Sequence, residues 1–220
     1  MIPDQLSTIL GATSPADEPY ALDSAEERQR RVGLMALSHM QPLTDYLTRL
    51  RAALGPGYDT PSFDPCDGGV GAKALFLLEA PGPKAVSSAF VSRNNPDPTA
   101  KNLGELLADA HIPRSATLIW NAVPYYVGDV GRIRTVNNKD LLFSQPYLEE
   151  LIRLLPDLMV IVLMGKKAQK MAQVIMNYTD VSIICTSHPS ARVFNLWPEK
   201  KAEVSEALRA VARLIMENAE

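Results

Sequence analysis

This 220-residue chain has only two cysteines, Cys66 and Cys185. Two thiols make no disulfide framework. They also cannot hold an iron–sulfur cluster by themselves, since such clusters usually take four thiolates. Histidines number three, and no Cys/His cluster has the spacing of a metal site. No apolar stretch is long enough to span a bilayer. The opening MIPDQLSTILGATSPADEP is short of basic residues and lacks a secretory layout, so a cytoplasmic protein is expected. Positive charge is not in excess either. With 22 Lys+Arg against 25 Asp+Glu the net charge is −3, which argues against a protein that coats nucleic acid. A local basic edge stays possible, because the field at a cleft follows the distribution of charge rather than its sum. There is no internal repeat and no Gly-x-Ser-x-Gly elbow of a serine hydrolase.

What the chain does have is an ordinary globular composition, 46% hydrophobic and 21% charged, with ample length for one full core. Four short apolar runs stand out: Ala74–Leu78, Thr117–Trp120, Leu158–Met164 and Val181–Thr186. Continuous apolar runs of this length read as buried parallel strands. A polar group follows each of them in turn: Glu79-Ala80-Pro81-Gly82, Asn121, Gly165-Lys166-Lys167 and His188-Pro189-Ser190. Parallel α/β sheets bind ligands at the carboxyl ends of their strands. A carboxylate, an amide, a basic loop and an imidazole are thus expected on one edge of one sheet.

Between the runs lie helical periodicities at Lys101–Ala110, Pro146–Leu155, Lys167–Tyr178 and Pro198–Asn218. The alternation predicts a three-layer α/β/α sandwich with a short four-stranded parallel sheet and right-handed crossovers. Residues 1–65 read as an N-terminal helical accessory segment packed on the core, with helices over Ser24–His39 and Pro42–Leu54 and a break at Ser14-Pro15. Residues 66–220 read as the α/β domain. Pro61–Gly71 is expected as loop, and so are two long connections, Glu79–Lys101 and Pro124–Gln145. Loops that long in a compact domain are usually functional. The glycine-rich Gly68–Lys73 precedes a strand instead of joining strand to helix, so it is not a nucleotide loop.

LLEAPGPKA, then Ala89-Phe90-Val91, then Trp120-Asn121-Ala122-Val123-Pro124, then His188-Pro189-Ser190 resembles the uracil-DNA glycosylase superfamily from about Lys73 to the C-terminus. Glu-Ala-Pro-Gly is most similar to the first motif of the superfamily's iron–sulfur branch. The cluster cysteines of that branch are missing, and the segment after the first motif is long and polar, so no cluster is implied.

The resemblance implies hydrolysis of a base from deoxyribose in DNA that carries uracil or another deaminated base. It implies no cofactor, no metal and no membrane, and a monomer is expected. Such chemistry passes through an oxocarbenium-like sugar, with the base taken out of the stack. Glu79 and His188 would be the catalytic pair. Glu79 would orient or activate water and face the cation. His188 would donate to the base O2, as a neutral or a charged imidazole. Pro81, Gly82, Phe90 and Asn121 would bind the base. Phe90 would stack, a contact worth roughly 1–3 kcal/mol per base, and Asn121 would read the edge with donor and acceptor together. Lys166, Lys167, Ser190 and Arg192 would meet DNA, with Arg192, Val193 and Phe194 as candidates for the wedge that fills the gap. Arg132, Arg134 and Lys139 could extend the basic strip.

Each residue has a plainer alternative: a loop cap or ion pair for Glu79, a core ring for Phe90, a turn for Asn121, a buried structural imidazole for His188, and a solvated helix start for the lysines. Trp120, Tyr125 and Tyr126 read as packing or pocket walls. The rival functional reading is a non-catalytic binder of DNA or nucleotides on the same fold, motivated by the acidic net charge. A small-molecule hydrolase comes third.

Overall fold

The four apolar runs form four strands of one sheet in a computed structural model that describes residues 18–129 and 132–217. In chain order the strands are β1 (Ser62–Phe63), β2 (Ala74–Leu78), β3 (Phe90–Val91), β4 (Thr117–Asn121), β5 (Gly128–Asp129), β6 (Arg132–Ile133), β7 (Val160–Met164) and β8 (Ser182–Thr186). The helices are α1 (Ala25–Leu34), α2 (Gln41–Leu54), α3 (Pro83–Ser88), α4 (Pro98–Asp109), α5 (Asn138–Arg153), α6 (Lys166–Gln169), α7 (Ala172–Met176), α8 (Ala191–Leu196) and α9 (Glu199–Glu217). The main sheet runs β4-β2-β7-β8, and all its pairings are parallel. Every residue of β4 and β7 is buried, so helices cover both faces, as continuous apolar strands require. The two-residue pairs β1–β3 and β5–β6 stand apart from it.

From β2 the chain crosses to one side to make β4, then returns to the other side to make β7. That reversal is a topological switch point, the usual place for a ligand in such sheets. α9 covers the sheet with Val204, Leu208, Val211 and Ile215, all buried at helical spacing. α4 packs against α8 and α9, while α2 packs against α5 and β1. Trp120 lies in the core, stacked on Phe63 with ring centroids 3.9 Å apart. No helix among the described residues is long and apolar enough to cross a membrane.

Several local expectations are corrected. The Glu79–Lys101 connection is not structureless: it holds α3, begun by Pro83 at a first-turn position, and β3. α4 starts at Pro98 because Asp97 caps it, its Oδ1 accepting from the N–H groups of Thr99 and Ala100. α5 starts well before Pro146, because Asn137 and Asp140 form a reciprocal capping box. Pro146 sits inside that helix, and Leu142, four residues earlier, is exposed, so water can meet the carbonyl that the proline leaves unbonded. The helix expected over Lys167–Tyr178 splits into α6 and α7, since the N–H groups of Lys170 and Met171 bond three residues back and tighten the turn. The Ser24–His39 stretch is helical only as α1, and Pro61–Gly71 contains β1. Ser14-Pro15 lies outside the described residues.

Candidate active site

Strand register brings the four carboxyl ends level. Leu78 pairs with Asn121, Leu77 with Leu163, and Met164 with Thr186. A cavity of about 330 Å³ opens at this edge, and its wall includes Leu78, Pro81, Gly82, Ser92, Asn121 and His188. A Cβ at Gly82 would meet nothing within 4 Å, so the space that glycine leaves belongs to the cavity and is not needed for packing.

Asn121 closes β4 and is 4% exposed, yet its Nδ2 has no hydrogen-bond partner among the described residues. Leaving a buried donor unmet costs about 1–3 kcal/mol, and most buried polar groups are bonded. Asn95, in the same wall, illustrates the usual state. Its Oδ1 accepts from Ser88 Oγ at 2.6 Å and its Nδ2 donates to the Phe90 carbonyl at 2.9 Å. Asn121 thus presents a donor that an acceptor entering the cavity can take.

His188 follows β8 across the cavity. Burial pushes its imidazole down to about 4, so the ring is neutral at pH 7. No described residue hydrogen-bonds the ring, but its loop is held from three sides. Gln169 Nε2 donates to the Thr186 carbonyl at 2.8 Å. Glu203 Oε1 accepts from the Ser187 N–H at 3.1 Å and from its Oγ at 2.9 Å. Asn102 Nδ2, from α4, donates to the Pro189 carbonyl at 2.9 Å. Gly165 makes room for the ring: its φ is +92°, and a Cβ there would stand 2.9 Å from His188 Cβ.

Glu79 stands beside the cavity and not in its wall. It is half-buried, and its Oε1 accepts from the Val136 N–H at 3.2 Å. The same Val136 is gripped from the other side by Lys167, whose Nζ donates to its carbonyl. Lys170 Nζ donates to Asn138 Oδ1 at 2.9 Å. The start of α5 is therefore clamped over Glu79 by α6 and the residue that follows it.

The other expected residues fall into three groups. Pro81 and Gly82 join Asn121 and His188 in the wall. Lys166 and Arg192 are exposed, without a hydrogen bond or ion pair to any described residue, whereas Lys167 is committed to Val136. Ser190 caps α8, its Oγ accepting from the Val193 N–H at 3.3 Å. Phe90 is 1% exposed and outside the wall, although its neighbours Val91 and Ser92 line it. Among the wedge candidates Phe194 packs against the core, while Leu196 and Trp197, at the end of the same helix, are exposed. Arg134 is paired with Asp140 at 2.6 Å, and the Arg132 side chain lies outside the described residues. Asn102, Gln169 and Glu203 have no signal in the sequence, since nothing local links them to the histidine loop.

A four-thiolate cluster does not fit this chain. Cys66 lies half-buried beside Arg30, Cys185 is exposed on β8, and there is no third cysteine. Among the described residues no group of three or more His, Cys, Asp or Glu could hold a metal ion.

A parallel α/β sheet with a mainly apolar cavity that carries an amide and an imidazole at the carboxyl ends of its strands defines a class of ligand-binding α/β proteins. Within it, residues 66–212 match the model of the uracil DNA glycosylase superfamily. The match spans well over half of the chain, and the protein belongs to that superfamily. Among solved structures, wild-type UNG from Nitratifractor salsuginis is similar at 12% identity and a TM-score of 0.46, over 90% of this chain and 98% of that one. No curated protein matches the sequence.

Proposed function

We propose that the protein is a monofunctional DNA glycosylase that hydrolyses the N-glycosidic bond of uracil, or of a related deaminated base, in base-excision repair. The observation that carries this reading is the buried Asn121 amide with its unmet Nδ2, facing the same cavity as a neutral His188. Superfamily membership supports it.

In this reading the base leaves the stack and enters the cavity, where the Asn121 amide meets its edge. As the glycosidic bond stretches, electron density moves onto the base. The neutral His188 imidazole donates a hydrogen bond to the base oxygen as that charge grows. A fixed donor aimed at developing charge in a water-poor site stabilises the transition state strongly. Glu79 orients the attacking water and stabilises the sugar cation. The Val136 N–H holds one of its oxygens, leaving the other to act. Pro81 and Gly82 shape the wall against the base. Lys166, Ser190 and Arg192 are assigned to the backbone of the DNA. Phe90 is assigned no contact with the base, because it is buried away from the wall.

The test is a labelled oligonucleotide carrying one uracil, single-stranded or opposite G or A, treated with alkali and separated on a gel. Cleavage at the uracil is expected. Glu79→Ala and His188→Ala should each lower turnover by about 10²–10³-fold, with DNA binding kept. Salt-sensitive retention of every oligonucleotide with no cleavage would overturn the proposal in favour of a binder.

A further inference from the structure

We infer that an aromatic and basic strip on the Glu79 side of the cavity is a stacking surface for single-stranded nucleic acid flanking the base that enters it. This rests on the proposed action on DNA. Tyr58 and Phe143 are 48% and 46% exposed and flank the buried Tyr125. Tyr58 meets Tyr125 edge-on with centroids 4.9 Å apart, and Phe143 lies 6.3 Å from Tyr125. The strip is thus built on a fixed central ring, whose hydroxyl donates to Asp140 Oδ1 at 3.2 Å. Asp140 also holds Arg134 by two bonds, at 2.6 and 2.7 Å, which fixes a half-exposed guanidinium beside the rings.

The strip connects to the candidate site along the chain, through the buried Val136. Two residues after Arg134, the Val136 N–H bonds Glu79, and Lys167 bonds the Val136 carbonyl. Lys139 and Lys170 carry positive charge along the same stretch.

Isolated exposed rings are ordinary on a protein surface. Rings presented beside a fixed guanidinium, with the exposed Lys139 and Lys170 on the same stretch, match what single strands need: π-faces for bases and cations for phosphates. A protein partner would favour a patch with few charges at its centre. A duplex keeps its bases stacked inside and offers these rings nothing.

The experiment is fluorescence anisotropy with a labelled, uracil-free strand of about 15 nucleotides, alone and as a duplex, a length set by the usual span of such sites. The Tyr58→Ala/Phe143→Ala protein should bind the single strand about tenfold more weakly, as loss of stacking predicts. Duplex binding and the salt slope should stay as in the unaltered protein, because the phosphate contacts remain. Tyr58→Phe/Phe143→Tyr, which keeps both rings, should bind as the unaltered protein does. An equal loss on single strand and duplex, or no loss on either, would overturn the inference. Because the strand lacks uracil, the outcome is independent of whether excision is seen in the cleavage assay.

Discussion

Two buried polar clusters border the same loop, residues 92–95, and they are wired in opposite ways. In the first, Arg31 and Asp64 are fully buried and bonded to each other. Asp64 also receives Ser92 Oγ and, at 2.7 Å, Arg114. Arg114 reaches Asp67 at 3.0 Å, and Arg31 reaches Glu27 at 2.8 Å and Asn94 at 3.1 Å. Burial alone would raise the Asp64 carboxyl, but Arg114 and Arg31 hold it below its ordinary value. Burial pushes Asp67 upward, against the pull of Arg93 and Arg114. In the second cluster, across the loop, neither Asn121 Nδ2 nor the His188 ring makes a hydrogen bond to a described residue. Charges tied on several sides fix where a loop sits. Polar groups left untied keep their bonding capacity for something else. The first cluster shapes one wall of the cavity through Ser92, and the second leaves unused bonding capacity in that wall.

The largest effect should come from breaking the tied cluster. Asp64→Ala removes the buried carboxylate that Arg31 and Arg114 share, leaving Arg31 to Glu27 and Asn94 and Arg114 to Asp67, and removing one partner of a buried pair costs about 3–5 kcal/mol. Urea denaturation should show a loss of that size. A loss below about 1 kcal/mol, typical of exposed pairs, would mean that the cluster does not hold the 92–95 loop.

The untied cluster should show itself through pH. The folded His188 imidazole titrates near 4, against an unfolded value of about 6.5. Between those values the unfolded chain binds the extra proton, so stability is complete above about pH 6.5 and falls as pH drops toward 4, by up to about 3 kcal/mol. Carboxylates also act in this range. The informative quantity is therefore the difference between the parent protein and His188→Asn at pH 7 and at pH 4.5, where the variant should lose less. Equal losses in both would mean that the ring is not desolvated.

The tied and untied clusters also differ in how well the sequence announces them. The strands are legible because short apolar runs, fully buried in β4 and β7 though not in the edge strand β8, leave little alternative, and β2 falls on Ala74–Leu78 as expected. The polar residue that follows each run could be read, and with it the placing of Pro81, Gly82, Asn121 and His188 on one wall. The tied cluster could not be read. Its bonds join residues as far apart as Arg31 and Asn94, and no local pattern pairs an arginine on α1 with an aspartate 33 residues on. Helix starts failed where polar capping outweighed the periodicity, at Asp97 and Asn137. The fate of Lys167 was hidden for a related reason: its ammonium meets a backbone carbonyl, and any residue in place of Val136 would offer one.

The smallest effect should come from Asn102, the α4 residue that ties the histidine loop to the scaffold at Pro189. Its Nδ2 bond to the Pro189 carbonyl is a single neutral hydrogen bond, so Asn102→Ala should cost about 0.5–1.5 kcal/mol in stability. The effect on turnover should be larger than that cost suggests, because small misplacements of a catalytic donor are expensive. With Gln169 and Glu203 still holding Thr186 and Ser187, the loop should shift instead of opening. A fall of about threefold to tenfold in kcat with KM little changed is expected, since an interaction made mainly in the transition state is weakened while binding is not. If kcat holds while stability falls by the predicted amount, Asn102 belongs with the tied residues that shape the fold, and the position of His188 is set from β8, α6 and α9.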